Sequence, residues 1–278
     1  MPRRGLRQWD GADASFGGRR GELVLEPCLS LWIGDRLGPV ERACLRAALR
    51  QGHEVALYCY RRVEGIPAGV EIRDAAAILG EDRMIRHRGG SVALFANWFR
   101  YELQRRGLGI WIDVDQYLLA PIVASRPHLY GWEDVGVIGS AVLRLPCDSP
   151  ILPELIGVFE QNRVPFWLSR RRRVAAHVRR WTTGRSGLSH MPWGTAGPHA
   201  LTAFAKRHGL AGEAVPPEIF YPVHYRNAGW LRDPSLALDD MVSPHSVGIH
   251  LWNELIKGWK NDPPPPGSFL ARLHREGA

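Results

Sequence analysis

Cysteine is scarce in the 278-residue chain, and long apolar runs are absent. Four cysteines occur without a CxxC pair or a regular spacing: Cys28, Cys44, Cys59 and Cys147. This pattern argues against a disulfide framework and against a cysteine-ligated zinc site. No stretch approaches the about 20 apolar residues of a membrane span, and the start lacks the apolar core of a signal peptide. These absences predict a cytoplasmic protein, for which a peripheral contact with the inner face of the membrane stays open.

Acidic residues are outnumbered, with 28 Asp and Glu against 36 Lys and Arg, for a formal net charge of +8. Part of the excess lies in residues 169–181, which read SRRRRVAAHVRRW. On a helix these arginines would surround most of the circumference and leave a narrow apolar strip at Val174, Ala175 and Val178. Such a segment could bind nucleic acid, an anionic membrane or a phosphate-bearing substrate, or could be a solvated helix.

The first half of the chain reads as a β-α-β unit followed by further strands. Residues 29–33 and 54–60 are predicted strands, and residues 39–51 are a predicted helix with proline in its first turn. This order predicts a parallel sheet, to which closely spaced later strands add antiparallel pairs. The further predicted elements are helices at 91–106, 150–161 and 198–208, strands at 110–112, 129–132, 135–138 and 141–145, and extended pieces at 218–225 and 246–252.

The 45% hydrophobic content is enough for one compact α/β domain, which we place at residues 23–258. A basic helical segment at 165–182 belongs to this domain. Residues 1–22 are rich in glycine and arginine without apolar periodicity, which predicts a flexible arm. Residues 259–278 form a proline-rich tail, which the four consecutive prolines at 263–266 are expected to hold extended.

Two carboxylates, Asp113 and Asp115, follow the predicted apolar strand 110–112. Open α/β sheets bind ligands at the carboxyl ends of their strands. Carboxylate oxygens suit Mg²⁺ or Mn²⁺, which proteins commonly share with the phosphates of a substrate. Taken alone, such a pair could equally cap a helix or a turn.

Other candidate site residues lie before and after this pair. Asn97 and Arg100, with Tyr101 beside them, fall on one helix face and could share the hydroxyls or phosphates of a ligand, although Arg100 could also pair with a carboxylate. Trp32 ends the first strand and could stack on a nucleobase or lie in the core. His250 could complete a metal shell or be a structural histidine.

Several short segments occur in the order seen in one family. They read LWIG at 31–34, NWFRYEL at 97–103, GIWIDVD at 109–115, GP at 197–198 and IHLW at 249–252. In these segments the chain resembles the retaining glycosyltransferases with a DXD sugar-nucleotide motif. That group includes α-1,4-galactosyltransferases, yeast initiating mannosyltransferases and the more distant glucosylating clostridial toxins. The resemblance covers most of residues 29–252.

The resemblance implies an A-type glycosyltransferase fold, Rossmann-like, with a mixed sheet flanked by helices. It implies a metal-dependent retaining hexosyltransferase that uses Mn²⁺ or Mg²⁺ and a nucleotide-sugar donor, with a UDP-sugar favoured over a GDP-sugar. The expected acceptor is a hydroxyl of a glycan, a glycolipid or another saccharide. Nucleic acid is not an expected partner, whereas Arg170–Arg173 and Arg179–Arg180 are candidates for contact with an anionic membrane.

The resemblance also assigns roles to the candidate residues. Trp32 would stack on the base, Arg100 would hold the donor, and His250 would close over the diphosphate. Asp115 would ligate the metal, and Asp113 would contact the metal or the ribose. The expected catalytic residues are Asp115, Arg100 and His250, the donor-binding residues are Trp32, Asn97, Arg100, Tyr101, Asp113 and Trp252, and the metal ligands are Asp113, Asp115 and His250. Gly197 and Pro198 match a turn near the acceptor side.

The chain departs from the family pattern at three positions. Asn97 stands where the family usually has aspartate, and Ser140 stands where asparagine commonly precedes the Ala-Val-Leu strand. Leu108 and Gly109 replace a pair of glycines. Because these departures concern contacts with the donor sugar, the sugar and the activity itself stay open.

The residues also fit two alternatives. A phosphohydrolase of the haloacid dehalogenase type would use Asp113 as nucleophile. That pattern requires Thr or Val two residues after the second aspartate, where this chain has Tyr117; Asp239 and Asp240 could mimic its later acidic motif. The other alternative is a non-catalytic binder of anionic surfaces built on the arginine-rich segment.

Overall fold

A computed structural model describes residues 25–161, 163–185 and 187–278, so the arm predicted for residues 1–22 lies outside the described residues. The strands of the described part are β1 (Cys28–Trp32), β2 (Val55–Cys59), β3 (Val70–Asp74), β4 (Ile110–Ile112), β5 (Gln116–Leu118), β6 (Trp132–Asp134), β7 (Val137–Ile138), β8 (Val142–Leu143) and β9 (Gly248–His250). Its α-helices are α1 (Pro39–Arg50), α2 (Ala93–Arg105), α3 (Ile151–Glu160), α4 (Arg170–Thr183), α5 (Pro198–Arg207), α6 (Pro217–Phe220), α7 (Leu238–Met241), α8 (Asn253–Ile256) and α9 (Phe269–Glu276). Short 3₁₀ helices connect them at Ala75–Ala77, Glu81–Arg83, Leu188–His190, Ala211–Glu213 and Tyr225–Arg232.

The main sheet has five strands in the order β3-β2-β1-β4-β8. The first four run parallel, and β8 is antiparallel to β4. This is the single-domain mixed α/β sheet that the sequence predicts, consistent with an A-type glycosyltransferase fold. All five residues of β2 are buried, as expected for a central parallel strand covered on both faces.

The side chains of β1 and β4 alternate between two apolar cores. Leu29 and Trp111 belong to the core under α2, α3 and α5, whereas Cys28 and Ile110 belong to the core on the opposite face. This alternation follows from the two-residue period of a strand. Asp113 directly follows β4 at the carboxyl edge of the sheet, and β1 ends at Trp32 on that same edge.

A separate two-stranded sheet brings the C-terminal part of the chain to this edge. Strands β5 and β9 pair antiparallel, with Gln116 opposite His250. Because Gln116 follows Asp115 directly, this register carries His250 to the acidic pair. The pairing is therefore the element that joins the two halves of the site.

The structure corrects several local predictions. Residues 218–225 are not extended, since Pro217 begins α6 and a 3₁₀ helix begins at Tyr225. Residues 129–131 make only isolated bridges, and the strand in this region is β6. Strand β3 was not predicted, because an edge strand with exposed side chains lacks a strong apolar pattern.

The C-terminal tail also differs from the extended prediction. Residues Phe269–Glu276 form α9, which packs on α1. Ser268 caps this helix, because its Oγ accepts a hydrogen bond from the N–H of Ala271 at 3.2 Å. The proline run ends before this cap and does not prevent the helix. Across the described ranges, no helix is both long enough and apolar enough to cross a membrane.

Candidate active site

The carboxylate of Asp113 is held by two donors from different elements. Trp111 Nε1, on β4, donates to Asp113 Oδ1 at 2.7 Å. Arg100 Nη2, on α2, lies 3.0 Å from the same oxygen. The guanidinium carbon of Arg100 lies 4.8 Å from the centre of the Trp111 ring, so the arginine is stacked as well as paired. These contacts fix the direction of the Asp113 carboxylate.

The remaining bonds of Arg100 explain one departure from the family pattern. Arg100 Nη1 donates to the backbone oxygen of Ser140 and to Ser140 Oγ, the latter at 2.9 Å. Arg100 Nε donates to the carbonyl of Ala96 at 3.3 Å. Arg100 is only 5% exposed, and a buried guanidinium needs such partners. Ser140 is therefore an acceptor that anchors Arg100.

Asp115 lies deeper than Asp113 and faces a histidine. Its Oδ2 accepts a hydrogen bond from the N–H of Asn253 at 2.6 Å and lies 3.4 Å from His250 Nε2. His250 Nε2 is also 3.9 Å from Asp113 Oδ2. One ligand atom from each of the three side chains lies within 4.8 Å of the others. The three predicted metal ligands are thus brought together.

A strained backbone position aims the N–H of Asn253 at Asp115. Trp252 has φ 58° and ψ 53°, the left-handed conformation, which costs a non-glycine residue about 1–2 kcal/mol. Trp252 Nε1 donates to the carbonyl of Val223 at 2.7 Å, and the Trp252 ring lies 4.3 Å from the His250 ring. These contacts hold Trp252 in a conformation that turns the chain into α8 beside Asp115.

A buried ion pair supports Asn253 from the other side. Lys260 Nζ donates to Asn253 Oδ1 at 2.5 Å and pairs with Glu41 of α1. The side chains of Lys260 and Glu41 are 9% and 1% exposed. A chain of polar contacts therefore runs from Glu41 through Lys260 and Asn253 to Asp115. Glu41 and Lys260 were not predicted as site residues, because they lie far apart in the chain and resemble ordinary surface residues.

The acidic pair titrates unevenly. Burial alone would raise the pKa of Asp115, but the charge and hydrogen bond of His250, with the N–H of Asn253, lower it to about 2. Burial and the Asp115 charge raise the pKa of Asp113 despite the opposing charge of Arg100. Burial lowers the pKa of His250, and the carboxylates of Asp115 and Asp113 outweigh this and raise it. A strong negative potential is therefore concentrated between the three side chains.

These residues fit a divalent cation. Two carboxylates and an imidazole offer oxygen and nitrogen donors that suit Mn²⁺ or Mg²⁺, with further ligands available from a substrate. The Nε2 atom of His250 faces the carboxylates. Its Nδ1 atom is buried and has no hydrogen-bond partner among the described residues. If Nε2 binds the cation, Nδ1 would carry the ring proton.

The cluster opens into a cavity of about 690 Å³, a size suited to a small organic ligand. All but one of the predicted site residues line it: Trp32, Asn97, Arg100, Asp113, Asp115, His250 and Trp252. Trp32 Nε1 is buried without a hydrogen-bond partner in the described part of the chain. The structure therefore assembles the predicted residues around one space.

Tyr101 is the exception, since it does not line this cavity. It is fully buried, and its hydroxyl donates to the carbonyl of Ala196 at 3.2 Å. It thereby holds the turn before α5. In that turn a Cβ on Gly197 would lie only 2.7 Å from Asn97 Nδ2, so glycine permits the close approach to Asn97. Pro198 then begins α5 and lines the cavity.

Glu133 and Asp134 of β6 also line the cavity and were not predicted. Burial, aided by the charges of Asp113 and Asp134, raises the pKa of Glu133 to about 7, against the opposing charges of His250 and Arg100. Such a shift is common in active sites. No sequence signal marked these residues, because β6 is short and lacks a regular apolar pattern.

Comparison with known families gives one match. Residues 189–277 match the family model described as the alpha 1,4-glycosyltransferase conserved region. This match is consistent with the predicted glycosyltransferase family. The match includes His250, Trp252, Asn253 and Lys260, and lies outside Asp113 and Asp115. No curated protein matches the chain.

Proposed function

We propose that the protein transfers a hexosyl group from a nucleotide-sugar donor, with a UDP-sugar favoured, to a hydroxyl of a saccharide or glycolipid. The transfer depends on Mn²⁺ or Mg²⁺ and retains the anomeric configuration. The observation that carries the proposal is the convergence of Asp113, Asp115 and His250 in a cavity that Trp32 and Arg100 also line. The family match supports a transferase and lends nothing to the phosphohydrolase alternative.

Asp115, His250 and Asp113 would hold the cation. A bound Mn²⁺ or Mg²⁺ would neutralise the negative charge that develops on the departing diphosphate. Asp115 is the strongest candidate ligand, because its low pKa keeps it ionised at neutral pH. The N–H of Asn253 keeps this carboxylate in place when the donor enters.

The walls of the cavity suit the other parts of the donor. Trp32 offers an indole face to the base at the carboxyl end of β1. Asn97 offers a neutral amide to a sugar hydroxyl. Arg100 is bonded to Asp113, Ser140 and Ala96, so we assign it mainly the task of positioning Asp113 and of balancing charge near the diphosphate.

Retention is proposed without an enzymic nucleophile. The new bond joins the acceptor oxygen to the anomeric carbon on the face from which the diphosphate leaves. The departing diphosphate oxygen takes the proton of the acceptor hydroxyl, so that charge and atoms balance. Residues of the cavity exclude water and hold the two reactants in line.

The arginine-rich helix α4 suits a peripheral membrane contact. Val174, Val178 and Trp181 recur at i, i+4 and i+7 and are 57%, 54% and 87% exposed, whereas Ala176 is the buried residue of the helix. The apolar stripe thus faces away from the protein. Arginines flank it, and no acidic residue lies in the helix. We assign this face to an anionic membrane surface, where a glycolipid acceptor would lie.

The test of the central proposal is Asp115→Asn. The substitution keeps the size of the side chain and removes its charge. We expect Mn²⁺-dependent binding of UDP, measured by calorimetry, and turnover of UDP-sugars to fall about 100-fold or more. Asp262→Asn, at an exposed aspartate outside the cavity, is the matched control and should change neither. Full turnover by the Asp115→Asn variant would contradict the assignment.

A further inference from the structure

A second cavity of about 710 Å³ adjoins the first. Glu133 and Asp134 of β6 line both, so the two spaces meet at this strand. The other walls of the second cavity come from the segment between α6 and residue 243. The residues with aromatic or ionisable side chains that line it are Trp132, Glu133, Asp134, Glu218, Tyr221, His224, Trp230 and Asp240.

The second cavity is negatively charged, like a nucleotide donor. Four carboxyl side chains line it, and neither lysine nor arginine does. His224 Nε2 lies 3.5 Å from Asp134 Oδ1, so this imidazole is already paired with a carboxylate. A nucleoside diphosphate, a phosphorylated lipid headgroup or an acidic sugar would be repelled here.

Aromatic side chains beside carboxylates favour a polyhydroxyl ligand. Trp230 is 40% exposed and lines the cavity, so that the apolar face of a pyranose could stack on its ring. Carboxylates accept hydrogen bonds from sugar hydroxyls or from an ammonium group. The walls therefore combine the two contacts that a neutral or amino sugar needs.

Glu133 is the carboxyl group that remains available at the junction. Among the described residues its side chain makes no hydrogen bond or ion pair. A Cβ on Gly139 would lie 2.8 Å from Glu133 Oε2 and 2.3 Å from Tyr221 Oη, so glycine at 139 leaves room for both groups. The Tyr221 hydroxyl in turn accepts the N–H of Ala141 at 3.1 Å, which fixes this wall.

We propose that the second cavity binds the acceptor as a neutral or amino-bearing saccharide, stacked on Trp230, with a hydroxyl beside the reacting one donating a hydrogen bond to Glu133. This inference rests on the proposed glycosyl transfer and adds the class of acceptor. It differs from an acceptor docked by the arginines of α4, because the charge of the cavity selects against an anionic saccharide.

The test compares transfer with hydrolysis of the same UDP-sugar in the full chain with Mn²⁺. Methyl galactosides, methyl glucosides and lactose represent neutral acceptors, glucosamine an amino sugar, and glucuronate an acidic one. We expect Trp230→Ala to raise the acceptor KM about tenfold, and Glu133→Gln to lower the ratio of transfer to hydrolysis about tenfold. Trp230→Phe should restore most of the affinity, because it restores a ring.

Matched controls separate a local effect from loss of the fold. Phe166→Ala removes an aromatic side chain of similar exposure, 43%, outside both cavities, and Glu160→Gln neutralises an exposed glutamate. Neither should change the acceptor KM. A preference for glucuronate, or an unchanged KM in Trp230→Ala, would overturn the acceptor assignment. Absence of any Asp115-dependent hydrolysis would instead overturn the proposed function itself, so the two failures are distinguishable.

Discussion

The cavity around Asp115 and the helix α4 carry their charges in opposite ways. Asp115 and Arg100, which line the cavity, and Lys260, which bonds the cavity residue Asn253, are buried, and each is held by hydrogen bonds and opposite charges. On α4, six arginines lie on an exposed helix, and none has an ion-pair partner within the described residues. The charges of the cavity therefore act through a few contacts of fixed geometry, whereas the charges of α4 act through their summed electrostatic field.

The largest effect expected from this difference is on stability. Lys260→Met leaves Glu41 buried without its partner, which should lower the free energy of unfolding by about 3–5 kcal/mol. Lys257→Met is the matched control, because Lys257 and Glu254 are 62% and 41% exposed and such a pair contributes about 0–1 kcal/mol. Urea unfolding at neutral pH measures both variants.

A double substitution sharpens this result. Lys260→Met combined with Glu41→Leu removes both charges and replaces them with apolar side chains. Because the cost of the single variant comes from an unpaired buried charge, the double variant should recover most of the lost stability. Equal losses of stability in Lys260→Met and in Lys257→Met would mean that the buried ion pair contributes no more than the exposed one.

The next largest effect is on membrane affinity. Arg170→Gln with Arg171→Gln removes two charges beside the apolar stripe of α4 and should weaken binding to phosphatidylserine-containing vesicles by about 2 kcal/mol, or about 30-fold. Vesicle co-sedimentation at low and high salt measures the loss. Unfolding should change by less than about 0.5 kcal/mol, since these arginines pair with no described residue.

The control for α4 is Arg61→Gln with Arg62→Gln, which removes the same charge from another exposed segment. It should reduce vesicle binding only slightly. Equal binding to neutral and anionic vesicles, or equal losses in both double variants, would contradict a membrane role for α4. The helix would then be a solvated surface, and the contrast with the cavity would be one of exposure alone.

Features that depend on residues close together in the chain could be predicted from the sequence, whereas features that depend on distant residues could not. Strand β4 and the acidic pair were predictable, because an apolar strand and the residues just after it are neighbours in the chain. The helix α4 was predictable from its composition, but which side faces the protein was not, since Ala176 alone is buried. Lys260 and Glu41 were not predicted, because their pairing spans 219 residues and accompanies the packing of α9 on α1.

The wrong predictions have local causes as well. Extended structure was expected for 218–225, but Pro216 and Pro217 begin a short helix there. The helix α9 was not predicted, because the proline run before it favours extended structure, although Ser268 is a normal helix cap. Glu133 could not be predicted as a site residue, because its proposed role depends on its position between two cavities, which the folded chain forms on either side of β6.

The smallest of these effects is expected at Glu133, whose side chain makes no hydrogen bond or ion pair with any residue in the described ranges. Its pKa is raised to about 7 by burial, so its carboxyl group gains a proton as the pH falls through 7. The groups whose charges act on it are His250, Asp113, Asp134 and Arg100. A protonated carboxyl accepts hydrogen bonds poorly, so transfer to a neutral saccharide should fall up to about tenfold between pH 8 and pH 6.

The measurement is the ratio of transfer to UDP-sugar hydrolysis across this pH range, which cancels titrations that affect both reactions through the donor. In Glu133→Gln the ratio should be low and independent of pH, because an amide does not titrate there. Glu160→Gln should keep the pH dependence of the unchanged protein. A ratio that falls equally in Glu133→Gln would place the titrating group elsewhere. Glu133 would then not be the group that sets the pH dependence, and the contrast between the paired carboxylate of Asp115 and the available carboxylate of Glu133 would have no effect on transfer.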